Sequence, residues 1–167
     1  MMYLTIPLNA EHKKQNFDCG VELLNRYIHK QAKQDVRRHL AACFVMVKEG
    51  DFVAGYYTLS SAAIHQGALP DEISKKLPKS YKKLPVILLG RLAVERSLAG
   101  KGYGAKLLID ALRRSYEISS KIGSMAVVVD PIDDKAESFY HKMGFAKLLD
   151  TEKMFLPMKT ISCLFNK

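Results

Sequence analysis

Apolar residues recur along this chain with two periods, and the switches between them mark out its elements. Tyr3 to Leu8 (YLTIPL) alternates as a strand does. From Val21 to Val36, Leu23, Leu24, Tyr27, Ile28 and Ala32 share one helical face, with Lys30, Lys33, Arg37 and Arg38 toward water. Two dense β-type runs follow, Ala41 to Lys48 and Phe52 to Ser61, joined by Glu49-Gly50-Asp51 as a short hairpin loop. Residues 65 to 84 lose all periodicity: Pro70 and Pro78 interrupt them, and Lys75, Lys76, Lys79, Lys82 and Lys83 outweigh Asp71 and Glu72. A basic loop with one helical turn is expected there.

Pro85 to Glu95 (PVILLGRLAVE) is almost continuously apolar, as a central strand is. After AGKGYGA, the residues Leu107, Leu108, Ala111, Leu112 and Ile118 return to helical spacing from Gly104 onward. Met125 to Val129 predicts a buried strand ending at Asp130-Pro131. Asp134-x-x-Glu137 has the form of a capping box for a helix through Met143, with Gly144 as its stop. Phe145 to Leu149 and Met154 to Ile161 complete the pattern as a closing antiparallel pair. The order implies one mixed α/β domain over residues 1–167.

That size is enough to bury a substantial core, and 48% apolar residues suit a globule. The longest unbroken apolar stretch, Leu40 to Val47, is far short of the roughly 18 to 20 residues a membrane span needs. The opening MMYLTIPLNAEHKK has no positive n-region and no small-residue cleavage site, so a cytoplasmic protein is expected. Cys19, Cys43 and Cys163 are odd in number and widely spaced, which argues against a disulfide framework and a zinc site and predicts buried thiols. No metal is expected. Lys and Arg number 26 against 17 Asp and Glu, a net charge of +9 that favours polyanionic partners.

The glycine-rich stretch between the long strand and the helix is the strongest chemical signal. Unpaired N–H groups and the positive helix end meet there, which favours phosphate. Three readings compete with a plain turn. Gly100-x-Gly102-x-x-Ala105 satisfies a dinucleotide fingerprint, with Asp130 as a ribose-binding acid. However, Glu95 to Ala99 separates the glycines from the strand, a hairpin precedes them, and the 37 residues after Asp130 are too few for a second half. A P-loop fails because Gly100-Lys101 continues into Gly102.

The third reading is a resemblance. LGRLAVERSLAGKGYGAKLL followed by VVVDPIDDKAESFYHKMGF is similar to the GNAT superfamily of acetyl-CoA-dependent N-acetyltransferases. Their loop pattern is Gln/Arg-x-x-Gly-x-Gly/Ala; Gly102 and Gly104 match it, while Ala99 replaces the usual Gln or Arg. FDCG at Phe17 to Gly20, the hairpin ending YYTLSSAAI, and LGRLAV with FYHKMGF further resemble the tRNA-acetylating toxins of type II toxin–antitoxin pairs.

The resemblance implies a GNAT fold, with a mixed, mostly antiparallel sheet splayed at the acetyl-CoA site and flanked by helices. It implies that the main chain of Leu92, Ala93 and Val94 pairs with the pantetheine arm and that Val94 N–H polarises the thioester carbonyl. Ala99, Gly100, Lys101, Gly102, Tyr103, Gly104 and Ala105 would surround the diphosphate, and Asp130, Ser138 and Phe139 complete the cofactor set. Tyr140 becomes the acid that protonates the departing sulfur; by spacing alone it would be a packing residue. Lys30, Lys33, Arg37, Arg38, Lys75, Lys76, Lys79, Lys82, Lys83 and Arg91 become contacts for aminoacyl-tRNA. The resemblance also implies a ribbon-helix-helix antitoxin, and similar toxins include homodimers, although the sequence does not fix the oligomeric state. A GNAT enzyme for small or protein amines, and a non-enzymatic nucleic-acid-binding module, are the alternatives.

Overall fold

A computed structural model of the chain describes residues 2–166. The backbone falls into two compact units, one holding the chain up to Ser60 with Gly90–Ala111, the other Ser61–Leu89 with the chain from Leu112 onward. Its strands form a seven-stranded mixed sheet in the order β1-β2-β3-β4-β5-β7-β6: β1 Ile6–Pro7, β2 Ala42–Lys48, β3 Phe52–His65, β4 Lys83–Val94, β5 Ala126–Val129, β6 Ala146–Lys147 and β7 Met154–Pro157. The β1–β2, β2–β3, β5–β7 and β6–β7 ladders are antiparallel, while β4–β5 is parallel.

In the first unit, the expected amphipathic helix forms as α1 Glu22–Arg26, a π-helical segment Tyr27–Gln31 and α2 Ala32–Arg37. Leu24, Tyr27, Ile28 and Ala32 bury against Phe17, Cys43, Val45, Val53, Tyr56 and Ala93. The exposed side chain of Leu23 is the one member of the predicted face left in water. The first strand is shorter than its alternation predicts: Ile6 and Pro7 pair with Val45 and Phe44, and Leu8 N–H adds one bond to the Cys43 carbonyl at 2.9 Å. The next link is made by a side chain: Asp110 of α4 (Tyr103–Ser119) accepts from Leu4 N–H at 2.7 Å, Thr5 Oγ1 at 2.6 Å and the Tyr57 hydroxyl at 2.8 Å. Gly55 allows α4 to settle on the sheet, since a Cβ there would stand 2.9 Å from Leu107 Cδ1 and 3.2 Å from the Ala93 carbonyl oxygen.

The second unit packs Ile64, Ala68, Leu69, Leu84, Val86, Ala126, Val128, Leu148 and Phe155 together. The basic loop contains a 3-10 turn and one short helix, α3 Asp71–Ser74, as expected. Its closing strand pair is reduced to two residues of β6 against Phe155 and Met154 of β7. The predicted strand to Ile161 is corrected by a helix, α6 Met158–Phe165, which starts after Pro157 and buries Met158 and Ile161 three residues apart on one face. Among the described residues, no helix is long and apolar enough to cross a membrane. Nor do they hold a cluster of metal-ligating side chains. The thiols stay free, but only Cys43 is buried; Cys19 is half-buried and Cys163 exposed, correcting the expectation for those two.

Candidate active site

The glycine loop is built from a 3-10 turn, Arg96–Leu98, which leads through Ala99 into the first turn of α4. Gly100 and Gly102 have φ of +76° and +82°, a region that costs other L-residues about 1–2 kcal/mol. A Cβ at either would meet nothing within 4 Å, so the surface here is open. Among the described residues, the main-chain N–H groups of Gly100, Lys101, Gly102, Tyr103, Gly104 and Ala105 donate no hydrogen bond; the first to do so is Lys106, to the Gly102 carbonyl at 3.2 Å. Six consecutive unpaired amides at the positive end of a 17-residue helix form an anion cradle.

The loop is anchored by residues that the sequence pattern did not single out. Glu95, buried at the end of β4, accepts from Lys48 Nζ at 2.6 Å and from the Ser97 hydroxyl, and its N–H reaches the Ala54 carbonyl at 2.9 Å. Burial pushes the Glu95 carboxyl up, but the Lys48 hydrogen bond, Ser97 and the Lys48 charge together hold it below the usual carboxylate range. Arg96 N–H donates to the Asp18 carbonyl at 2.9 Å, and its guanidinium lies 3.5 Å from the Asp18 carboxylate. Asp18 in turn accepts from Gly20 N–H and Asn25 Nδ2, each at 2.9 Å. The FDCG segment thus ties the start of α1 to the turn before the glycines. The signal that could have found Glu95 is an acid ending an apolar strand.

In the second unit, Tyr140 lies on α5 Asp134–Lys142. The helix cap is Asp133, whose carboxylate accepts from Ala136 N–H at 2.8 Å; this corrects the predicted cap, Asp134, by one residue. Gly144, at φ +101°, ends the helix as expected. The Tyr140 ring is buried edge-on between Phe139, centroid at 5.2 Å, and Phe145, at 5.4 Å. Its hydroxyl has no hydrogen bond among the described residues, yet no buried side-chain oxygen there lacks a partner. The phenol tip therefore opens to the surface while the ring is gripped. Burial pushes its pKa up to about 12, so it is a protonated donor at neutral pH. Ser138 on the same helix and Asp130 beyond β5 are exposed.

A model of the acetyltransferase (GNAT) domain matches residues 39–147. The chain belongs to the GNAT acetyltransferases. Among GNAT relatives, a protein of Mycobacterium tuberculosis described as a tRNA-acetylating toxin is 34% identical over 130 residues, 78% of this chain and 76% of its own. The structure of AtaT complexed with acetyl-methionyl-tRNAfMet superposes with a TM-score of 0.90 at 33% identity, covering 97% of this chain and 98% of that one. A Tyr-to-Phe AtaT toxin bound to acetyl-CoA and the C-terminus of the antitoxin AtaR gives 0.83 at 28% identity, with 98% of each chain covered.

The family's donor, acetyl-CoA, carries a diphosphate, and the cradle fits it: donors are available, no carboxylate intrudes among residues 99–105, and the glycines leave the approach clear. Beyond the β4–β5 ladder, which ends at Leu89 and Val129, β4 runs on through Leu92, Ala93 and Val94. Lys101 is exposed at the loop tip.

The predicted acceptor contacts differ in kind. Lys30, Lys33, Arg37 and Arg38 are exposed on the first unit's helical segment, and none is ion-paired among the described residues. Lys75, Lys76, Lys79 and Lys82 are exposed on the second unit's loop, and Lys83 is exposed at the start of β4; Gln66 Nε2 pins the loop by donating to the Pro78 and Tyr81 carbonyls, each at 3.0 Å. Arg91 is half-buried, with its guanidinium carbon 3.6 Å from the centroid of the Tyr27 ring. Of the histidines, His12 and His29 are bonded to the Asn9 N–H and the Phe17 carbonyl, and the remaining three are exposed.

Proposed function

We propose that this GNAT enzyme transfers an acetyl group from acetyl-CoA to the α-amino group of an aminoacyl-tRNA, and so acts as a toxin that blocks translation. The observation that carries the reading is the likeness to AtaT in complex with acetyl-methionyl-tRNAfMet, which extends over nearly the whole of both chains. Its place of work is the cytoplasm, where charged tRNA is used. The neutralising partner is an antitoxin of the ribbon-helix-helix type; AtaT is held by the C-terminus of its own antitoxin, AtaR.

Acetyl-CoA supplies the acetyl group activated as a thioester. The amides of Gly100 to Ala105 bind its diphosphate, with Lys101 adding positive charge, and Ala99 leaves the work there to the main chain. Leu92, Ala93 and Val94 orient the pantetheine arm through their main-chain groups, and Val94 N–H polarises the carbonyl. Asp130, Ser138 and Phe139 line the donor. Tyr140 Oη holds the proton destined for sulfur. No general base is required at the acceptor, because an α-amino group, with a pKa of about 7.7–8.0, is partly neutral where a lysine near 10.4 is not. Arg91 and the two exposed basic groups hold the RNA.

The test is transfer of labelled acetyl from acetyl-CoA to charged tRNA, uncharged tRNA, polyamines and lysine peptides in parallel. Label is expected on charged tRNA alone. Label on polyamines or peptides, with charged tRNA untouched, would overturn the acceptor assignment.

A further inference from the structure

A second site lies in the first unit. His12, Lys14, Lys33, Leu8 and Val36 help to line a pocket of about 120 Å3 that contains no acidic side chain. Of these residues, the proposed acetyl transfer uses only Lys33.

Three of the lining residues carry side-chain hydrogen-bond donors: His12, Lys14 and Lys33. His12 is buried, and its Nδ1 accepts the Asn9 N–H at 3.0 Å, which places the neutral ring's proton on Nε2. Nε2 has no partner among the described residues, and none of their buried side-chain nitrogens lacks one, so Nε2–H reaches solvent at a residue that lines the pocket. Lys14 is half-buried. Loss of water and then the charge of Lys33 lower its pKa, while the Cys43 thiol opposes this. Neither ammonium is ion-paired among the described residues. Two like charges across a small pocket, one drawn partly out of water, are costly, and nothing in the lining offsets them.

An anion with acceptors on several sides relieves that strain, and a phosphate group has this form. The surroundings favour a phosphodiester chain, because Lys30, Lys33 and Arg37 recur at helical spacing and carry positive charge outward from the pocket as a polyanion requires. We propose that this pocket seats one backbone phosphate of the acceptor RNA, with His12, Lys14 and Lys33 as its donors. The assignment rests on the RNA reading above.

The experiment has two arms, on the full chain. In the first, inorganic phosphate is titrated while the His12 ring resonances are followed by NMR. A saturable shift is expected in the wild type, and at least a tenfold weaker one in the Lys14→Gln/Lys33→Gln double variant. In the second, binding of uncharged tRNA is measured against salt. The double variant should lose about 0.7 to 0.9 from the slope of log K on log salt, one phosphate contact, whereas Lys159→Gln on α6 should leave the slope unchanged. No His12 shift overturns the pocket as an anion site. A shift with an unchanged tRNA slope overturns the RNA phosphate and leaves a site for free anions. If wild type acetylates no charged tRNA yet the phosphate shift persists, the functional reading fails and the anion site stands.

Discussion

The guanidinium carbon of Arg91 lies over Tyr27, 3.6 Å from the ring centroid, and the Tyr27 hydroxyl donates to Asp35 at 2.9 Å. A cation in an apolar strand is thereby held by the face of a buried phenol, whose edge is fixed by a carboxylate on the next helix. Burial, reinforced by the Asp35 bond, pushes the Tyr27 pKa well up, so the hydroxyl stays a donor. A double-mutant cycle of Arg91→Ala with Tyr27→Leu, read by urea denaturation, should give a coupling of about 0.5–2 kcal/mol. Tyr27→Phe keeps the stack and should cost about 1.5 kcal/mol for the bond to Asp35. Additive single effects would show that the stack contributes nothing.

Tyr140→Phe removes only the hydroxyl from a ring clamped by Phe139 and Phe145. Turnover should fall about 10²- to 10⁴-fold, while the affinity for acetyl-CoA by calorimetry stays within twofold. Because burial raises the folded pKa above the free phenol's value of about 10, the group favours folding while protonated, and that contribution is lost as pH rises toward about 12. Ultraviolet titration of tyrosinate, wild type minus variant, should therefore place this phenol's transition near pH 12. A difference signal near pH 10 would mean the ring is not buried.

Gly102 stands at φ +82° with open space where a Cβ would go. Gly102→Ala should cost about 1–2 kcal/mol of stability from conformation, and its methyl should raise the Kd for acetyl-CoA at least tenfold by standing in the approach to the amides. An unchanged Kd would place the diphosphate elsewhere.

The Lys48–Glu95 pair predicts an acid limb. Glu95 is held below the usual carboxylate range, so its contribution to stability is present above that range and lost as pH falls through it. Glu95→Gln should lower the melting temperature near neutrality and flatten its fall below about pH 5. An acid limb as steep as wild type would remove Glu95 from this role.

The residues that carried most of the fold into view were those whose period has one interpretation. Leu107, Leu108, Ala111 and Leu112 announced α4, and the run before Glu95 announced β4. The π-helical segment was invisible, because Tyr27 and Ile28 bury equally well in an α-helix, and α6 was hidden because the apolar run Met154–Leu156 leads directly through Pro157 to Met158 and Ile161, which read as its continuation. At the site, Gly100 and Gly102 were legible as a glycine-rich stretch between an apolar strand and a helix, and both hold a positive φ. Glu95, Arg96 and His12 were not, because each acts through partners far along the chain: Lys48, Asp18, and the pocket that Lys33 closes.

The most direct measurement is mass spectrometry of the 3′-terminal aminoacyl-adenosine released by nuclease from charged tRNA after incubation with the enzyme and acetyl-CoA. The expected product is heavier by one acetyl group, carried on the amino acid's nitrogen, and is abolished by Tyr140→Phe. An unmodified aminoacyl-adenosine, or an acetyl group found on the nucleoside, would contradict the proposed reaction.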